Sequence, residues 1–269
     1  MKSITTVLLS LSFLSARSQE LFTYTEPASN MPSKSIALRV NNRYFYHPSG
    51  SHKQLQLAPE LMVGFSKKLM MHAETFFSDV TGKLSYSGLS LYAKYRAYSV
   101  DDVHSHFRLG IYGRASFVNA PIQQQVIDLN GFNTGFEGGT VATLLNKRTA
   151  ISANLSFIHT LDNGIENKWT FDDRERNAIN TSLSFGRLML PVEYKNYNQT
   201  NVNLMLEVLS QINAGNGRSF VDAAPVVQLI MKSRIRMDFS YRFPILQSAD
   251  RMMSNGCLIR LDYNFFNVW

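Results

Sequence analysis

The residues best placed to do chemistry in this chain are charged ones that recur inside alternating apolar runs. Arg39, Arg43, Lys94, Arg96, Arg108, Arg114, Arg236, Arg242 and Arg260 are such positions, as are Glu60, Glu74, Glu137, Glu207, Asp222, Asp238 and Asp262. Successive side chains of an extended strand point to opposite faces, so alternation puts charge on one face and apolar groups on the other. Gathered on one side of a sheet, these residues could line a polar passage with a slight basic bias, which favours anionic solutes. They could equally pair with one another and fill a narrow interior. The near balance of signs keeps both readings open.

Three other clusters invite a chemical reading. Asp101-Asp102-Val103-His104-Ser105-His106 sets two carboxylates ahead of two histidines that share a face if a strand begins there. Such groups ligate divalent metals, which makes His104 and His106 candidates. A solvated turn explains the same residues, and no metal is assigned. Ser156 and His159 supply a nucleophile and a base, but they fall on opposite faces of one strand and cannot pair within it. Asp172, Asp173, Arg174, Glu175 and Arg176 form a charge cluster in what reads as a solvated loop. No catalytic residue and no cofactor follow from these patterns, and the chain is read as a non-enzyme.

What positions the charged residues is a series of about twelve period-2 segments, each near the ten residues that cross a bilayer at a tilt. The first opposes Ile36, Leu38 and Val40 to Arg39. The last opposes Ile259, Leu261, Tyr263 and Phe265 to Arg260, Asp262 and Asn264, and ends on Trp269. The segment 136–145 is rich in glycine and the least regular. Connections alternate between tight and long. Residues 66–68, 101–105, 146–148 and 232–234 are tight, with the longer 191–200 as the exception in that class. Residues 46–53, 78–88, 119–133, 161–177, 213–219 and 246–256 are the longer set. Short turns on one side and longer loops on the other are the habit of outer-membrane barrels. Lipid offers no water to a sheet edge, so the strands must close on themselves.

The fold is therefore read as all-β: a transmembrane antiparallel up-and-down β-barrel of about 12 strands over residues 35–269. Tyr44, Phe77, Tyr95, Phe117, Tyr241 and Trp269 suit interfacial girdles. Residues 119–133 contain Ile122, Val126, Ile127 and Leu129 and are expected to fold inward as a constriction. Residues 1–18 read as a cleaved signal peptide, with Lys2, an apolar run from Ile4 to Leu14, and Ala16 and Ser18 before the cut. Residues 19–34, broken by Pro27 and Pro32, read as a periplasmic lead-in.

Bulk properties agree and exclude alternatives. The chain has 269 residues and is 45% hydrophobic, yet it offers no continuous apolar run long enough for a membrane helix. Its one cysteine, Cys257, excludes an intrachain disulfide scaffold. The net charge of +7 is dispersed, and no basic run suggests nucleic acid as a partner.

Phe22-Thr23-Tyr24-Thr25-Glu26-Pro27-Ala28-Ser29-Asn30-Met31-Pro32, together with Asp101-Asp102-Val103-His104-Ser105-His106-Phe107-Arg108, resembles a family of outer-membrane β-barrels from Bacteroidetes-type bacteria. The resemblance implies the fold and the outer membrane of a Gram-negative bacterium, and carries over no ligand or catalytic residue. The expected function is a passive channel or transport component for small polar solutes, anionic ones among them. The alternatives are a closed structural or partner-binding barrel and, third, a lipid-modifying enzyme. The expected partners are outer-membrane lipid, the barrel-assembly machinery acting on the C-terminal strand, and a periplasmic protein docking on the lead-in.

Overall fold

The computed structural model describes residues 22–46, 53–80, 82–103, 105–193, 198–252 and 254–269. The signal peptide expected at 1–18 and His104 lie outside these residues. The strands are β1 (Ser35–Tyr46), β2 (Lys53–Gly64), β3 (Leu69–Ser78), β4 (Ser85–Asp101), β5 (Ser105–Val118), β6 (Gly135–Asn146), β7 (Thr149–Thr160), β8 (Asn177–Leu190), β9 (Asn201–Asn213), β10 (Ser219–Met231), β11 (Ile235–Gln247) and β12 (Asn255–Phe265). Each pairs antiparallel with its sequence neighbours, and β12 pairs with β1, so the sheet is a closed 12-stranded barrel.

Alternation makes one wall of two opposite surfaces. Outward Leu183 is 56% exposed, while its inward neighbour Ser184 is 0% exposed. Outward Leu38 is 52% exposed and inward Arg39 only 2%. This inverts the burial expected in water, where large apolar patches are hidden. Such an outer surface is stable only where a nonpolar medium covers it. Exposed aromatic rings gather near both ends of the wall. Tyr44, Phe117, Phe136 and Tyr241 are on one side, and Tyr95, Phe107, Tyr263 and Trp269 on the other.

Tight connections sit at one end of the barrel and long loops at the other. Lys147-Arg148 joins β6 to β7 in two residues, with Lys147 at φ 52°. Lys232 and Ser233 take φ 51° and 54° between β10 and β11. At this end Arg148 holds the end of β8 and the two residues that follow it. Its guanidinium donates to the carbonyls of Leu188, Met189, Pro191 and Val192 at 2.8–3.2 Å.

The glycines of β6 also acquire a reason. A Cβ on Gly139 would stand 2.7 Å from the Tyr112 ring and 2.6 Å from Ser156 Cβ, so its absence lets Tyr112 lie across the inner wall. Closure itself depends on the C-terminus. Phe265 pairs with Ile36, and the Val268 N–H donates to the Lys34 carbonyl at 2.9 Å. Truncating residues 265–269 is expected to abolish assembly into membranes. A truncated chain that inserts and still shows a heat-dependent gel shift would contradict this.

Candidate functional site: the occluded lumen

Residues 22–33 do not precede the barrel as a lead-in; they lie inside it. Lys34 (φ 59°) turns the chain back from the start of β1, with its N–H on the Gly64 carbonyl at 2.7 Å. From there the segment crosses the lumen, touching one strand after another. Met31 packs with Met62 and Met70. Lys94 of β4 donates to the carbonyls of Pro27 (2.5 Å) and Ser29 (3.1 Å). Arg108 of β5 donates to Ser29 Oγ at 2.9 Å, and the Ala28 N–H reaches Thr143 of β6 at 2.9 Å. Thr25 bonds Ser182 of β8, and Thr23 bonds Asp238 of β11, each at 2.9 Å. Phe22 is 1% exposed and packs among Ala150, Met205 and Val226.

The strongest anchor is Glu207 of β9. Its carboxylate accepts the backbone N–H groups of Thr23 (2.7 Å), Tyr24 (3.0 Å) and Thr25 (2.8 Å), and Ser184 Oγ adds a fourth bond at 3.2 Å. Successive N–H groups aimed at one anion form a concave nest, which satisfies the fully buried carboxylate. The segment has no regular structure of its own, so its backbone polar groups are satisfied by the barrel wall.

The long-loop end is closed from the other side. Residues 119–134 fold inward, as their apolar content suggests, and bury Ile122, Val126, Ile127, Leu129 and Phe132. Gln211 clamps Ile127 by its N–H (3.0 Å) and carbonyl (2.8 Å). Gln56 donates to the Asn130 carbonyl at 2.8 Å, and Arg114 donates to the Asn130 side chain. Gly131 (φ +98°) lies so close to Phe76 and Gln56 that a Cβ would collide with both.

Two further loops cover this one. Trp169 and Phe171 pack on Ile122, Ile127 and Leu129, so the loop 161–176 is a lid and not only a solvated charge cluster. Its ion pairs hold that shape. Asp162 takes the Trp169 N–H and Arg176, and these hold its carboxyl down to about 2. Arg251, from 248–254, grips both oxygens of Asp222 at 2.5 Å. In a protein that lacks residues 22–31, deleting residues 123–128 as well is expected to raise single-channel conductance severalfold; an unchanged value would show that this loop is no constriction.

Most of the charged residues expected to face inward pair with one another, in several groups. Asp262 lies between Arg39 (2.9 Å) and Arg236 (3.2 Å). Arg39 also reaches Glu60 and Glu26, both at 3.1 Å. Asp238 accepts Arg236 at 3.0 Å, and Asp222 accepts Arg242 at 2.6 Å. Glu74 and Arg43 stand 3.7 Å apart, Glu137 and Arg114 3.6 Å, and Asp238 and Arg260 4.0 Å. Lys94 is spent on the crossing segment.

Arg96 is the exception. It pairs in register with Gly110 but lies at the rim, level with the tight turn after β2, where its guanidinium donates to the Lys67 carbonyl. Arg108 also reaches toward that rim, to Asp101 at 3.1 Å, beside His106 at 2.9 Å from the same carboxylate. Among the described residues no group of three or more His, Cys, Asp or Glu is placed to hold a metal. Ser156 donates inward to Glu137, while His159 bonds Asn177, so the two do not meet.

Between the crossing segment and the inward loop a partly open polar chamber remains. It consists of two adjoining cavities of about 90 and 150 Å³, which share Tyr24, Glu26, Tyr92, Arg114 and Asn130. Tyr24, Glu26, His72, Tyr92 and Asn130 were not among the lumen residues expected from sequence. His72 lies on the inward face of an alternating run and was recognisable by that position. Glu26 and Asn130 lie in irregular segments and gave no such signal. Cavities of this size hold a few waters, and residues 22–33 and 119–134 take up the lumen on either side of them.

No protein-family model and no curated protein sequence matches the chain. Solved structures do. An outer membrane channel from Pseudomonas putida F1 superposes with a TM-score of 0.59 at 11% identity, over 91% of this chain and 100% of that one. The NanC porin gives 0.48 at 11% identity, over 86% and 98% of the two chains. OprD from Pseudomonas aeruginosa gives 0.41 at 7% identity, over 91% and 98%. At such identities the likeness is one of fold, and the resemblance carried by residues 22–32 and 101–108 gains no family assignment. The chain has the channel-like fold of an outer-membrane β-barrel.

Proposed function

We propose that the protein is an outer-membrane channel of a Gram-negative bacterium, passing small polar solutes, anionic ones among them, and closed at rest by residues 22–33. The observation that carries this reading is the manner of closure. The middle of the segment that crosses the lumen is irregular and is held mainly by hydrogen bonds and an ion pair, beside a polar chamber, with Phe22 and Met31 as its apolar ends. Polar contacts exchange readily for water, so such a plug can leave without unfolding the barrel. The apolar belt meets outer-membrane lipid, β12 addresses the barrel-assembly machinery, and a periplasmic protein that captures residues 22–30 would open the channel.

A closed structural barrel is the second reading, favoured by the ion-pair network across β1, β11 and β12. Planar-bilayer recordings separate the two. The channel reading expects infrequent openings from the intact protein and sustained openings once residues 22–31 are removed. Silence from both would favour the closed barrel.

A further inference from the structure

Three guanidinium groups line the chamber without close carboxylate partners. Arg43, Arg114 and Arg260 have their nearest paired carboxylates at 3.7, 3.6 and 4.0 Å, beyond the usual length of a charge-assisted hydrogen bond. Beside them is Tyr92, 5% exposed, whose hydroxyl makes no hydrogen bond among the described residues. Its ring is fixed between Tyr112 (5.3 Å) and His72 (5.0 Å), with the Arg114 guanidinium 5.5 Å from its centre. A buried hydroxyl without a partner costs stability unless something in the chamber takes its bond. Across the same chamber Glu26 Oε2 also makes no hydrogen bond among the described residues, with Lys94 Nζ at 3.6 Å.

We propose that this chamber is a binding site for small carboxylates that carry a second hydrogen-bond donor, the α-hydroxy and α-amino acids. Arg43, Arg114 and Arg260 with the Tyr92 hydroxyl present donors to the carboxylate. Glu26 Oε2 and Glu74 present acceptors to the hydroxyl or ammonium. A bare anion would satisfy the first group and lie unpaired against the second. A bare cation would do the reverse. The adjoining cavities of about 90 and 150 Å³ suit a ligand of a few heavy atoms. The proposal names the solute class of the proposed channel, and so rests on that reading for the ligand's route but not for the site itself.

The test is equilibrium dialysis of the full chain in detergent micelles against radiolabelled glycolate, glycine and acetate. Glycolate or glycine should bind saturably at one site, roughly tenfold more tightly than acetate, because a hydrogen bond to a charged group is at stake. Tyr92→Phe removes only a hydroxyl without a partner and should weaken binding about tenfold while keeping the heat-dependent gel shift. Arg114→Gln should act in the same direction. Absence of saturable binding, acetate binding as tightly as glycolate and glycine, or unchanged affinity in Tyr92→Phe would overturn the proposal. Conductance without binding would sink this site and leave the channel standing; binding without conductance would do the opposite.

Discussion

Removal of residues 22–31 is expected to raise the mean conductance of the protein in planar bilayers by roughly tenfold or more, to a level then set by the inward loop 119–134, since a polar twelve-stranded lumen is wide enough to pass water and ions beside that loop. The barrel wall should survive the deletion. The strands close through β1 and β12, and the ladder from Ile36↔Phe265 to Tyr46↔Asn255 involves none of the deleted residues. A milder form of the same experiment is Glu207→Ala. It strips the three N–H groups of Thr23, Tyr24 and Thr25 of their acceptor. Leaving buried donors unpaired costs about 1–3 kcal/mol each, a cost the segment escapes only by moving into water. Openings should therefore become more frequent in Glu207→Ala without a change in the fully open level. Equal conductance in the intact, deleted and Glu207→Ala proteins would mean that the crossing segment is not what closes the lumen.

Arg39→Ala is expected to be the most destabilising single substitution in the lumen. Arg39 is 2% exposed and holds Glu26, Glu60 and Asp262 together at 2.9–3.1 Å. Removing one partner of a buried charge cluster strands the others, and costs about 3–5 kcal/mol. The urea midpoint of unfolding in micelles should fall accordingly. Adding Asp262→Leu to Arg39→Met should recover part of the loss, because it removes a stranded carboxylate instead of leaving it buried. A midpoint unmoved by Arg39→Ala would show that these carboxylates are hydrated through the chamber and that the network is loose.

The strands and their inward charges were legible in the sequence because a period of two leaves only two choices of face, and the apolar face must meet lipid. That logic placed Arg39, Glu60, Glu207, Asp238 and Asp262 on the lumen side, where they are buried. Arg96 keeps the same period but lies at the short-turn rim, where it donates to the Lys67 carbonyl. The same logic passed over Tyr92 and Tyr112. Both lie mid-strand, and the space for an inward ring at Tyr112 comes from Gly139 on the neighbouring strand, a relation between strands that no single segment displays.

The crossing segment carries no local sign of its place in the lumen. Residues 22–33 contain two prolines and no periodicity, which locally is the signature of a linker. Its position is decided by partners far along the chain, Glu207 and Asp238 above all, and by a left-handed turn at Lys34 that sends the chain back into the lumen. The inward loop was easier to foresee, since Ile122, Val126, Ile127 and Leu129 are too apolar to leave in water.

The central claim is that this is a channel whose passage is governed by the crossing segment. Thr25 and Ser182 face one another across that contact, with their hydroxyl oxygens 2.9 Å apart. The direct measurement is single-channel recording of the Thr25→Cys, Ser182→Cys, Cys257→Ser protein, oxidised and then reduced in the same bilayer. The account predicts silence while the disulfide holds the segment against β8, and openings that return within minutes of adding reductant. Equal conductance before and after reduction, with the cross-link verified by mass spectrometry, would contradict it.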